Sequence, residues 1–184
     1  MLTAWGDESG SQPERDPGTY LLAAALVEAD DVEVVRKTMD GLRLPGEKKV
    51  HWQQSSDERR ELLVRTVAEL PSVSVVVVHH EQDANDRRHR RKCLEYLLPQ
   101  LAEMPCSHIT FESRKDLDRS DQDILGKFRA RKVIGAGLRI HHSVGRTEPV
   151  LWVADVVCGA VVQQRVGNPH YLDQLGGLID IRHI

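Results

Sequence analysis

The sequence predicts an α/β domain whose mixed sheet opens on a β-hairpin and is flanked by helices. Three observations predict it. Two apolar runs, residues 2–6 and 19–29, flank residues 10–18, a stretch rich in Gly, Ser, Pro and Asp that reads as the turn of a hairpin. From residue 72 onward, strand-like runs alternate with helix-like ones. The 184 residues suit one domain and can bury a core without disulfide or zinc staples.

The elements follow in order. After the hairpin, Asp30 or Asp31 is a candidate cap for a helix to Leu42, because Val32, Val35, Met39 and Leu42 recur on one face, and Pro45-Gly46 ends it. Ser55 or Ser56, followed by Asp57, Glu58 and Glu61, opens a second helix carrying Leu62, Leu63, Val67 and Leu70 as far as Pro71. SVSVVVV at residues 72–78 is a strand buried on both faces. Residues 86–104 form a helix with strongly basic first turns and a later apolar face, with a kink or break expected near Pro99. HITFE at residues 108–112 is a fourth strand. Residues 117–133 are a helix with Ile124, Leu125, Phe128 and Val133 turned inward, residues 137–143 a fifth strand, and residues 149–166 a mostly apolar helix opened by Pro149.

Three carboxylates stand out. Asp7-Glu8 ends the first strand, where a Gly- and Ser-rich turn leaves both side chains near the sheet's edge, and Glu112 ends HITFE in the same way. Asp155 lies in VLWVADVVCGAVV, the most apolar helix, where a charge costs several kcal/mol unless it is paired, hydrogen-bonded or metal-bound. Carboxylates from neighbouring strand ends plus one from a packed helix make an oxygen-rich site for the hard cations Mg²⁺ or Mn²⁺. Two such ions about 4 Å apart activate water and stabilise the leaving oxygen in phosphodiester hydrolysis. Taken one at a time, each acid also has a plain structural reading: a turn residue, a solvated strand end, a buried paired acid. Glu8, adjacent to Asp7 on a strand, points to the opposite face and ranks below it as a ligand.

The opening AWGDESG, the strand TYLLAAALV, KKVHW at residues 48–52 and the late PVLWVADVVCGAV together resemble the bacterial "domain of unknown function 3800" family, whose members are similar to RNase H-like nucleases. The pattern spans nearly the whole chain. The resemblance implies an RNase H-like fold with Asp7 as the first-strand aspartate, Glu112 as the acid of the fourth strand and Asp155 as the acid of the last helix. It makes residues 30–71 a helical insertion between the second and third strands. Glu95 is a poor candidate for the fourth acid that RNase H proper carries, because it lies deep in its helix. In the KKVHW segment, Lys49 is a candidate phosphate contact and His51 a candidate for proton transfer, against the alternative of a solvated edge strand.

Other clusters carry less. The nine histidines include His79-His80 and His141-His142 at strand ends, where neighbours point to opposite faces and do not readily chelate one ion, although one of each pair could line the site as a general acid. Cys93, Cys106 and Cys158 form no CxxC pair, so neither a disulfide framework nor a zinc ribbon is expected. The net charge of −3 conceals two basic stretches, DRRHRRK at residues 86–92 and KFRARK at 127–132, which carry +8 between them and leave −11 on the rest. Arg87, Arg88, Arg90, Arg91, Lys127 and Arg131 are thus candidate contacts to a phosphate backbone, the alternative being solvated helix faces. Only 4% of residues are aromatic, too few for a base-stacking platform.

The leading expectation is a metal-dependent, RNase H-like nuclease acting on nucleic acid with Mg²⁺ or Mn²⁺. The alternative is a catalytically inactive scaffold that binds nucleic acid or a partner protein, for instance in a defence or toxin system, and the apolar helix of residues 149–166 could also serve a homodimer. Nucleotide hydrolysis is disfavoured by the lack of a GxxxxGK[ST] loop. With no signal-peptide pattern and no apolar run near the roughly 20 residues a bilayer crossing needs, a cytoplasmic protein without membrane contact is expected.

Overall fold

Period-two alternation sorts the side chains of β2 (Thr19–Glu28) onto two faces of a sheet. Leu21, Ala23, Ala25 and Val27 enter one buried cluster, and Tyr20, Leu22, Ala24 and Leu26 the other. Covered on both sides, the strand is apolar almost without a break. It pairs antiparallel with β1 (Leu2–Ser9), placing Asp7 opposite Ala23, and antiparallel with β3 (Ser72–His80) on its other edge. β4 (Cys106–Glu112) runs parallel to β1, β5 (Arg139–Ser143) parallel to β4, and β6 (Ile179–His183) parallel to β3. Across the sheet the order is β5-β4-β1-β2-β3-β6, so β2 alone runs against the others. The computed structural model describes residues 1–10, 12 and 14–184; within the turn expected over residues 10–18, Ser11 and Pro13 lie outside the described residues, and Gln12 bridges to Asp16.

Helices cover both faces. α1 (Val32–Asp40), α2 (Asp57–Glu69), α5 (Leu151–Arg165) and α6 (His170–Leu175) pack on the face of Trp5, Ala23 and Val76. α3 (Asp86–Glu103) and α4 (Asp118–Ala130) pack on the face of Ala4, Ile109 and Phe111. Ser56 caps α2 by accepting the N–H of Arg59 at 3.3 Å, whereas the residue before α1, Asp31, makes no side-chain cap. The connection from β2 to β3 holds α1, a loop over residues 41–56, and α2.

Some elements differ from the sequence reading. α6 and β6 follow α5 and were not anticipated, because each is only five or six residues long and shows no clear periodicity. α3 runs on through Pro99: Leu97, Leu98 and Leu101 around it are wholly buried, and their packing outweighs the backbone hydrogen bond a proline forgoes. Leu62 and Val133 are 53% and 52% exposed rather than inward, with Leu63, Val64 and Val67 forming the inner face of α2. Among the described residues no helix is long and apolar enough to cross a membrane.

Candidate active site at the carboxyl ends of β1 and β4

Parallel pairing of β1 and β4 sends both chains out at the same sheet edge, with Gly6 opposite Phe111 and the acids just beyond. Alternation then fixes the face. Asp7 shares the face of Trp5, and Glu112 the face opposite Phe111, so both lie on the side covered by α5. α5 is buried along most of its length and presents Asp155 to that same edge.

The three acids feel one another. Burial first, and then the neighbouring Asp155, Glu8 and Glu112, push the Asp7 carboxyl up to about 8, with the Glu8 N–H pulling the other way. Asp7 Oδ1 is buried and accepts no hydrogen bond; the nearest cation, Arg114 Nη2, stands 4.0 Å away. The Asp155 carboxyl is also raised, first by burial, while the Trp52 N–H, Lys49 and His51 favour its charged form. Trp52 N–H donates to Asp155 Oδ2 at 3.0 Å. Lys49 Nζ donates to both oxygens of Glu112, at 3.1 and 2.9 Å.

The loop before α2 supplies these partners, and it is pinned on both sides of Lys49. Val50 is wholly buried, and Arg60 Nε donates to the Trp52 carbonyl at 3.2 Å. The Trp52 indole lies against Gly159 of α5, where a Cβ would collide with the ring. Gly145 is similarly close to Glu112: a Cβ there would fall on its carboxyl group, so the glycine leaves room for this side chain. A cleft of about 240 Å³ opens beside Asp155, lined in part by Glu8, Trp52, Gln53, Arg60 and Gln163.

Two expected site residues are placed elsewhere. Glu8 faces the α3 side and accepts from Arg90 Nη1 at 2.7 Å, with Arg114 Nε 2.9 Å from its other oxygen. Its carboxylate thus sits between two guanidiniums, although Oε1 itself accepts no hydrogen bond, and it is corrected here from metal ligand to ion-pair partner. Arg90 is corrected too: it is only 3% exposed, donates to both oxygens of Asp121 at 3.0 and 2.7 Å, and has no face left for a phosphate. His142 closes this buried network by a 3.0 Å contact from Nε2 to Asp121 Oδ2.

The other basic candidates are at the surface. Arg87, Arg88, Arg91 and Lys127 line one groove between α3 and α4, on the sheet face opposite α5, and Arg131 is exposed at the end of α4. Arg88 is paired with Glu81 at 2.8 Å and Arg91 more loosely with Glu95 at 3.7 Å. Of the histidines, His51 is half-buried near Asp155, His79 contacts His89 at 2.7 Å between Nδ1 atoms, and His141 stacks on His108. Sequence reasoning missed Arg114, whose only signal was a basic residue two positions past Glu112, and the Trp52 N–H, which leaves no signal at all.

Among the described residues no group of three or more His, Cys, Asp or Glu side chains converges in a metal-ligating arrangement. The donor chemistry nonetheless suits a hard divalent cation: Asp7 has a buried unpartnered oxygen, three carboxylates repel one another, and all the donors are oxygen.

No family model matches the chain, and no curated protein matches it. Solved structures do. A chain of the PCNA:RNase HII complex from Archaeoglobus fulgidus is 16% identical over 90% of this chain and 75% of its own, with a TM-score of 0.60. The ribonuclease H2 from Pyrococcus horikoshii OT3 is 14% identical over 90% and 74%, also at 0.60. Bst-RNase HIII in complex with Mn²⁺ is 15% identical over 90% of this chain and 53% of its own, at 0.56. The fold is RNase H-like.

Proposed function

We propose that the chain is a divalent-metal-dependent nuclease of the "domain of unknown function 3800" kind that hydrolyses phosphodiester bonds of nucleic acid. The observation that carries this reading is the buried, unpartnered Asp7 Oδ1 on the sheet face shared with Glu112 and Asp155. A fold hosts many functions, so the argument rests on these residues and not on the likeness alone. The Mn²⁺-bound RNase HIII neighbour supports the choice of Mg²⁺ or Mn²⁺.

Asp7 and Asp155 would hold the cations, with Glu112 as the third ligand. When bound, a pair of divalent ions supplies Lewis acidity for water attack and charge neutralisation for the departing 3′ oxygen. The residues do the rest. The Trp52 N–H fixes the rotamer of Asp155, and Gly145 leaves room for that of Glu112. His51, half-buried near Asp155, is the candidate to move a proton at the leaving oxygen. Arg87, Arg91, Lys127 and Arg131 would track the phosphate backbone of a long substrate, a mode whose affinity falls steeply with salt.

Purified protein with Mg²⁺ or Mn²⁺ is expected to cut at least one of single-stranded DNA, duplex DNA, RNA or an RNA–DNA hybrid. Asp7→Asn and Asp155→Asn are expected to abolish cutting while circular dichroism stays native. No cleavage across the panel, or normal cleavage by both variants, sinks the catalytic reading. One observation favours an alternative: with Lys49 seated on Glu112, the fold could be a scaffold that binds nucleic acid or a partner protein without turnover. That alternative predicts salt-sensitive binding with no metal-dependent product.

A further inference from the structure

Lys49 is the only ammonium the described residues place among the candidate ligands. Its Nζ sits 3.1 and 2.9 Å from the two oxygens of Glu112, and its charge also favours the ionised form of Asp155. It therefore offsets part of the repulsion among the three acids. Lys49 and Glu112 are 20% and 25% exposed, so water reaches and screens the pair. A divalent cation drawing on Glu112 would have to meet the ammonium at contact distance or displace it.

The surroundings permit displacement. Val50 and Trp52 hold the backbone on one side of Lys49, through complete burial of Val50 and contact of the Trp52 indole with Gly159. On the other side, Glu47 accepts from Arg59 Nη2 at 2.5 Å and from the Leu44 N–H at 3.0 Å. Only the four-carbon stem of Lys49 needs to swing, and a lysine stem is flexible where an arginine fork is not.

We propose that Lys49 is a built-in competitor for the metal site: it occupies Glu112 in the metal-free chain and sets the cation concentration at which Glu112 becomes a ligand. This rests on the carboxylate-site reading above. It goes further by giving Lys49 a regulatory role in metal loading that is distinct from contact with substrate.

The test is Mn²⁺ titration of the full chain by calorimetry, with no nucleic acid present, for wild type, Lys49→Met and Lys49→Arg. Lys49→Met is expected to bind Mn²⁺ about tenfold more tightly, as removal of one largely water-screened like charge a few ångströms from the ion would give. Lys49→Arg, which keeps the charge and grips a carboxylate with a stiffer fork, should bind Mn²⁺ no more tightly than wild type. Melting adds a second readout. Without metal, Lys49→Met should melt below wild type, and saturating Mn²⁺ should close the gap, which a lysine that merely tethers the loop would not show. If wild type binds Mn²⁺ and Lys49→Met binds it within twofold of wild type, or more weakly, the competition is refuted and the carboxylate site stands. If none of the three binds Mn²⁺ at millimolar concentration, the carboxylate site falls and the competition with it.

Discussion

Replacing Asp7 by Asn should make the metal-free protein more stable, and by an amount that grows with pH. In the folded chain the Asp7 carboxyl keeps its proton to about pH 8, against 3.8 for an unperturbed aspartate. Unfolding at a pH between these values releases that proton. Wild-type stability therefore contains a contribution that is complete below about pH 4 and is lost progressively as pH rises to about 8. At 1.36 kcal/mol per pH unit, the ceiling on that loss is roughly 6 kcal/mol. Arg114 stands 4.0 Å from Asp7 Oδ1 and can close in as the charge develops, so we expect about 2 kcal/mol. An asparagine of the same shape does not titrate. For a domain of this size, the melting temperature of Asp7→Asn relative to wild type should be near zero at pH 4.5 and rise by about 4–8 °C by pH 9. The assay is thermal melting by circular dichroism in EDTA across that range. The buried Asp155 interacts with Asp7 and ionises against one charge fewer in the variant, which adds to the same rise with pH. Mn²⁺ should then reverse the order at pH 8, stabilising wild type and leaving the variant unmoved. A melting difference that stays flat with pH, or that falls as pH rises, would refute the account of Asp7 as a strained, unpartnered acid.

Other perturbations probe the surrounding structure. Arg90→Met leaves Asp121 buried with no guanidinium, and Glu8 with Arg114 alone, and should cost about 3–5 kcal/mol in urea denaturation, since an uncompensated buried charge is what such a change creates. Gly159→Ala drives the Trp52 indole off α5, so tryptophan fluorescence should shift to the red and Mn²⁺ affinity should change with the loss of the N–H that orients Asp155. Changing Arg87, Arg91 and Lys127 together to Gln should flatten the slope of log affinity against log salt for duplex DNA by about 2–3, at roughly 0.9 per lost phosphate contact. An unchanged slope would mark that groove as an ordinary solvated helix surface.

The strand pattern was legible because burial on two faces writes itself into composition: no soluble edge strand reads SVSVVVV or TYLLAAALV, and both turn out central. Asp155 was legible for the converse reason, a charge where the neighbouring positions are buried and apolar. The opposite faces of Asp7 and Glu8 followed from the period of a strand. Arg90 was misplaced because a run of four arginines in five positions looks like one surface, while an α-helix turns 100° per residue and must aim part of any such run inward. The residue aimed inward is held by Asp121 and Glu8, 31 and 82 positions away along the chain. Lys49 poses the same difficulty in a sharper form. Its sequence neighbours, Lys48 and Val50, give no sign that its ammonium reaches an acid 63 positions away, so in sequence it reads only as a cation for a phosphate. Its placement on Glu112 makes the cation part of the acid cluster itself. The stability of the metal-free fold and its readiness to take up metal are then opposed at one side chain: whatever Lys49 contributes by neutralising Glu112, a divalent ion must overcome before that glutamate can serve as a ligand.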